Sequence, residues 1–233
     1  MFAAEFLTAC KNANSILLTG PQSLDGDSIG ACVALQEMLA EKCTATIDVS
    51  GIPTHQYVHL RSIDQWKPDE DLQTTYDVAI VVDGDRFRLA PNVEATFNSS
   101  TVSVLIDHHK STDVSSYSLS WLDGTAVSTC SMIYSLAQSW GSTITSTIAE
   151  ALYIGILFDT GGFQHSNTNS ETLRIAATLM EFDFDSNAIH HRMREWTLKQ
   201  TARSKGVFRE SLRNLGVGRR DYASDSQSFY ENL

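Results

Sequence analysis

Apolar positions along the chain follow two periods, and the change from one to the other divides it. In the first half they form short unbroken runs: SILLT at 15–19, VAIVV at 78–82 ahead of Asp83, and VSVLI at 102–106 ahead of Asp107. Runs of this length, rich in β-branched residues, predict strands buried on both faces, as in a parallel sheet covered by helices. TATIDVS at 44–50 also has strand character. Around these runs the spacing turns helical, with a short helix at 3–13 and a longer one over IGACVALQEMLAE at 29–41. Beyond Asp107 the spacing predicts helices near 126–140, 145–158, 171–182 and 185–195, then a longer polar helix near 197–215. No repeat of solenoid length is present. The pattern predicts an α/β domain over 1–195: a doubly wound, mostly parallel sheet of about five strands flanked by helices, with a helical C-terminal extension. Residues 196–215 read as a linker-like helix, and 216–233, polar and without period, as a flexible tail.

In sheets of this kind ligands gather beyond the carboxyl ends of the strands. The acids follow that rule. Asp25 and Asp27 come after the first strand, Asp83 ends the third, and Asp107 ends the fourth, followed at once by His108 and His109. A carboxylate and imidazole set suits divalent manganese, iron or zinc, and the oxygen-rich balance leans towards manganese. One Asp at a strand end reads as a cap or turn residue. The group does not, because burying several acids with two histidines and no cation costs several kcal/mol per unpaired charge. Asp159, which ends an apolar helix before Thr160-Gly161-Gly162, adds a further acid.

Taken in order, LDGDSIG, VVDGDRFR, LIDHHKS and GILFDTGGF resemble the four motifs of the DHH phosphoesterase superfamily. NTNSETLRIAATLMEFDFDSNAIHHRM is similar to the helical stretch after the fourth motif in the nanoRNase/pAp phosphatase branch, which is related to the RecJ exonucleases. The likeness runs over roughly residues 12–215. It implies a two-metal phosphoesterase, usually manganese-dependent, acting on a small phosphate ester of a nucleotide or on a short oligonucleotide. Carried over by position, Asp25 would ligate the first metal, Asp27 the second, and Asp83 both; His108 and Asp159 would complete the second site. Asp107 would orient its neighbours and His109 would face the scissile phosphate. Two cations so held can activate water and stabilise the attacking and leaving oxygens. Mg²⁺ or another divalent ion could replace Mn²⁺.

Two departures from the family pattern change this expectation. The family places a histidine ligand four residues before the first Asp, and Pro21, which cannot coordinate, stands there. One firm cation site and one weak site follow. The branch also carries a second, basic domain that grips the substrate, and GVGRRDYASDSQSFYENL is too short and polar to supply one. These departures leave an alternative: a non-catalytic relative binding a single metal or nucleotide as a regulatory or partner subunit. A domain of this kind standing alone exposes the surface its companion would cover, which admits a homodimer through the helical half.

Other residues are weaker candidates. Arg86 or Arg88 could pair with a phosphate, and at least as readily form a salt bridge with a nearby acid. Ser128 opens a helix whose first N–H groups could receive phosphate oxygens. His165 and the pair His190-His191 read as loop, surface or cap residues, Asp85 as a turn cap, and His55 and His59 could share a helical face.

The net charge of −11 argues against long duplex nucleic acid as a partner, since that binding runs on phosphate neutralisation. Residues 1–190 carry 8 basic and 23 acidic side chains, whereas 191–233 carry 9 and 5, so basic charge gathers late in the chain. The apolar runs are far shorter than the roughly 18 residues of a membrane span, and the N-terminus lacks the pattern of a secretory signal, so a cytoplasmic location is expected. Cys10, Cys32, Cys43 and Cys130 lack metal-binding spacing and read as reduced, packed thiols.

Overall fold

The computed structural model of the chain describes residues 1–51, 57 and 60–195. It contains α1 (Phe2–Asn12), β1 (Ser15–Thr19), α2 (Gly26–Lys42), β2 (Thr46–Ser50), β3 (Val78–Val82), α3 (Pro91–Ser99), β4 (Val102–Asp107), β5 (Leu119–Leu122), α4 (Thr129–Trp140), α5 (Ser146–Asp159) and α6 (Ser170–Leu179). Residues 186–195 are also helical. The chain divides into two units, Met1–His190 and His191–Leu233. The expected linker-like helix and tail, along with His55 and His59, lie outside the described residues.

The sheet is parallel throughout, in the order β2-β1-β3-β4-β5. Its central strands are apolar without interruption because both faces are covered. Side chains alternate across a strand, so Leu17, Ala79, Val81 and Leu105 share one face, where they pack with Tyr76, Val93 and Phe97. Val93 and Phe97 are the buried residues of α3, which therefore covers that face. On the opposite side α2 contacts β1 and β3, and α4 contacts β4. Helix α5 packs on α2 and α4 rather than on the sheet, and its residues Ala151 to Leu157 are all buried. That explains its near-continuous apolar sequence: a helix enclosed on most sides has no polar face.

The sequence missed two elements. Strand β5 (LSWL) is short and only half-buried, and α3 offers only two buried positions, too few for a clear period. Helix α2 also begins earlier than the apolar pattern suggests. Asp25 is its N-cap, accepting the N–H groups of Asp27 and Ser28, while Ser28 Oγ accepts from the Asp25 N–H at 2.8 Å. This capping box moves Asp27 from a loop into the first helical turn.

The strand order places the direction change between β1 and β3, from which the chain departs to opposite sides. A crevice beyond the carboxyl ends of these two strands is where such folds bind ligands. Asp27 and Asp83 both stand there.

Candidate metal centre

Four segments meet at this edge. Asp83 follows β3 with φ of 59°, a left-handed conformation uncommon for a side-chain-bearing residue, although Asp tolerates it better than most. Such backbone strain, of order 1–3 kcal/mol, is characteristic of functional turns. Its N–H donates to the Ile106 carbonyl at 3.0 Å, tying the end of β3 to β4. Asp107 ends β4, and His108 and His109 follow it directly. Asp159 arrives from the far end of α5.

Asp159 reaches the site because α5 lies unusually close to α2. A Cβ on Gly30 would collide with the Ala151 carbonyl, and one on Gly155 would stand 2.6 Å from Asp27 Oδ1. Only glycine permits this approach. The chain then turns through Gly161, Gly162 and Phe163, all at positive φ. His165 Nδ1 and Asn167 Nδ2 each lie 3.2 Å from the Asp159 carbonyl, which fastens the helix end.

His108 stands at the centre of the cluster. Its Nε2 is 3.1 Å from Asp159 Oδ2, 3.6 Å from Asp83 Oδ1 and 3.9 Å from Asp27 Oδ2. Donor atoms of Asp27, His108 and Asp159 lie within 4.8 Å of one another, as do those of Asp83, His108 and His109. The second set is compromised. His109 faces Asp83 through Nδ1, at 3.9 Å, and that nitrogen is only 2.7 Å from Asp107 Oδ1. Asp107 thus claims this nitrogen, and the Thr112 hydroxyl donates to its other oxygen at 2.5 Å. The set better formed for one cation is Asp27, His108 and Asp159, with Asp83 Oδ1 3.6 Å from the same His108 Nε2.

The electrostatics agree. Burial, followed by the neighbouring charge of Asp159, pushes Asp27 up to about 6. Burial and then Asp27 push Asp83 well above the usual carboxylate range. Burial alone would lower His108, but its hydrogen bonds to Asp159 and Asp83 outweigh that and raise it to about 11. In the metal-free cluster protons therefore occupy places that suit a cation. Asp107 differs: burial opposes ionisation, yet the hydrogen bonds from His109 and Thr112 hold it below its ordinary value. Oxygen donors with one imidazole fit a hard or borderline divalent ion such as Mn²⁺ or Mg²⁺.

The other expected residues occupy varied places. Asp25 belongs to neither donor set; its Oδ1 is committed to the helix cap. Pro21 is buried, its ring against Gly84. Arg88 is exposed, its guanidinium also lying against Gly84, and it forms no ion pair among the described residues. The expectation for Ser128 needs correction: it is fully buried as the N-cap of α4, and the amides behind it are already taken. The Thr129 N–H donates to Asp27 Oδ2 at 2.6 Å and the Cys130 N–H to Oδ1 at 2.9 Å, so this helix start receives a protein carboxylate rather than a phosphate. Asp85 caps the turn before Phe87, and His190 meets the Tyr153 hydroxyl at 3.0 Å. Thr129 and Cys130 are the site residues that sequence reasoning missed as partners of Asp27. Ser128 followed by Ser131 does announce a capped helix start with amides to spare, but the acid that takes them is more than a hundred residues away.

Comparison with known proteins gives a consistent picture. The model of the "DHH family, N-terminal domain" matches residues 15–156. The chain is 29% identical over 188 residues to the "Bifunctional oligoribonuclease and PAP phosphatase NrnA" of Bacillus subtilis (strain 168), covering 79% of this chain and 58% of that protein. It is 28% identical over 203 residues to the "Probable bifunctional oligoribonuclease and PAP phosphatase NrnA" of Streptococcus mutans, covering 87% and 64%. It therefore spans about three fifths of the length of these curated relatives. Among solved structures, an exopolyphosphatase-related protein from Bacteroides fragilis superposes with a TM-score of 0.74 at 21% identity, over 82% of this chain and 59% of the other, a likeness of fold.

Proposed function

Since the chain belongs to the DHH family, we propose that it is a divalent-cation-dependent phosphoesterase, with Mn²⁺ the preferred ion, hydrolysing phosphate esters of nucleotides or very short oligonucleotides. The observation that carries this reading is the convergence of Asp27, Asp83, His108 and Asp159, from the start of one helix, the ends of two strands and the end of a second helix, around His108 Nε2. The names of the relatives, oligoribonuclease and PAP phosphatase, support the substrate class.

A divalent ion held by these four residues would supply Lewis-acid charge to the phosphoryl oxygens. The chain's own contributions are separable from it. Asp107 accepts the hydrogen on His109 Nδ1, which fixes the ring and leaves Nε2 free to exchange a proton at the scissile phosphate. The His109 side chain is 43% exposed, enough for a substrate to reach. Arg88 adds a cationic group at the rim of an otherwise acidic site, where it can pair with a substrate phosphate.

The test is direct. The 233-residue chain with excess Mn²⁺ is incubated with pAp, diribonucleotides, cyclic dinucleotides and a generic phosphodiester, and products are resolved by chromatography. Hydrolysis of a nucleotide substrate, abolished by EDTA, is expected. A chain inert towards all four would instead support the second reading, a non-catalytic binder of one cation or nucleotide. That reading draws on Pro21, which offers no ligand, and on Asp25, whose Oδ1 is spent on the helix cap.

A further inference from the structure

Thr129 touches two of the four proposed cation ligands at once. Its N–H donates to Asp27 Oδ2 at 2.6 Å, and its hydroxyl donates to Asp83 Oδ1 at 3.2 Å. Thr129, Asp27 and Asp83 are all buried, so these hydrogen bonds face little competition from water and orient strongly. The geometry points to Thr129 as a positioning residue: with one backbone and one side-chain donor it sets the separation and rotation of Asp27 and Asp83, and so their readiness to share a cation. This inference rests on the proposed metal site.

Three features support it. Ser128 caps α4 in a reciprocal box with Ser131, which fixes the helix start from which Thr129 projects. The Cys130 N–H takes the other Asp27 oxygen at 2.9 Å, so the Asp27 carboxylate is held as a rigid plane by two successive amides, with the positive end of the helix dipole behind it. Among the described residues Asp83 has no comparable pair of amides. Its own N–H is spent on Ile106, and among the described residues the Thr129 hydroxyl is the neutral side-chain donor that holds its carboxylate. The hydroxyl is therefore the adjustable part of the clamp. Hydrogen bonds behind a ligand commonly change metal affinity by roughly 10–100-fold.

Val replaces the hydroxyl with a methyl of similar size and retains the amide, whereas Ser retains both donors. Mn²⁺ binding to the purified 233-residue chain is measured by calorimetry for wild type, Thr129→Val and Thr129→Ser, alongside metal-free thermal unfolding. Thr129→Val is expected to bind Mn²⁺ about 10–100-fold more weakly and Thr129→Ser within about threefold of wild type, with similar metal-free melting. The loss should also shrink in an Asp83→Asn background, where the hydroxyl no longer has a ligand to orient. If Thr129→Val does not fold, Thr129→Ala against Thr129→Ser makes the same comparison. Equal affinity with and without the hydroxyl overturns the inference while leaving the metal site standing. Absence of Mn²⁺ binding by wild type overturns both.

Discussion

Gly155 lies directly behind Asp27: a Cβ at position 155 would stand 2.6 Å from Asp27 Oδ1 and would also strike Cys130. The glycine thus serves packing and site together, since α5 must pass this close to α2 for Asp159 to reach His108. Gly155→Ala should cost about 1–3 kcal/mol by overpacking, despite the better helix propensity of alanine. It should also weaken Mn²⁺ binding at least about tenfold, because the added methyl presses on Asp27 Oδ1 and on Cys130, whose N–H holds that same oxygen. Urea denaturation and calorimetry read the two effects separately. Unchanged metal affinity would show that the helix yields instead of the carboxylate.

The adjacent histidines should separate cleanly. His108 Nε2 lies among three carboxylates, whereas His109 Nδ1 is bound to Asp107. His108→Ala should abolish measurable Mn²⁺ binding. His109→Ala should keep it and lose about 10²–10⁴-fold in kcat, the range for a residue handling a proton. Asp107→Asn should follow His109→Ala in rate, because the amide no longer fixes the Nδ1–H form of the ring. Loss of metal from His109→Ala would place that ring among the ligands.

Acidity gives a third expectation. Folded Asp27 titrates at about 6 against an ordinary 3.8, so the stability it lends the metal-free protein is present below about pH 4 and lost as pH rises through 6. His108, raised from 6.5 to about 11, lends stability that is complete below pH 6.5 and declines as pH climbs towards 11. Both make the metal-free protein weaker with rising pH. A cation reverses this by displacing the protons. The gain in Tm from Mn²⁺ over EDTA should therefore be larger at pH 8 than at pH 5.5, reaching roughly 5–10 °C at a hundredfold excess over Kd. A gain independent of pH would mean that the ion binds elsewhere.

Much of this was legible in the sequence because strand ends are written locally. VAIVV and VSVLI each run into an acid, and a parallel sheet brings such ends to one edge. What stayed hidden depends on contacts between distant segments. Neither the meeting of Gly30 with Ala151 nor the seating of Asp27 on the first amides of α4 leaves a periodic trace. Asp25 also does something that the motif did not show. An Asp-Gly-Asp after a strand reads as a loop, whereas Asp25 with Ser28 forms a capping box that starts α2 at Gly26.

That cap bears on how many ions bind. Asp25 Oδ1 accepts three hydrogen bonds within its own cap, while its Oδ2 makes none among the described residues. Pro21, packed on Gly84, has no side-chain atom that could ligate an ion. The wild-type chain should hold one Mn²⁺ tightly. Asp25→Asn, which still caps a helix, should change neither stability nor that affinity appreciably, whereas Asp25→Ala should cost about 0.5–2 kcal/mol for the lost cap. Pro21→His restores the imidazole that the family pattern has at this position and should raise the stoichiometry from one ion to two. Metal analysis after gel filtration counts the ions directly. Two tightly held ions in the wild type would show that Asp25 ligates as well as caps, with water or a neighbouring side chain making good what Pro21 lacks.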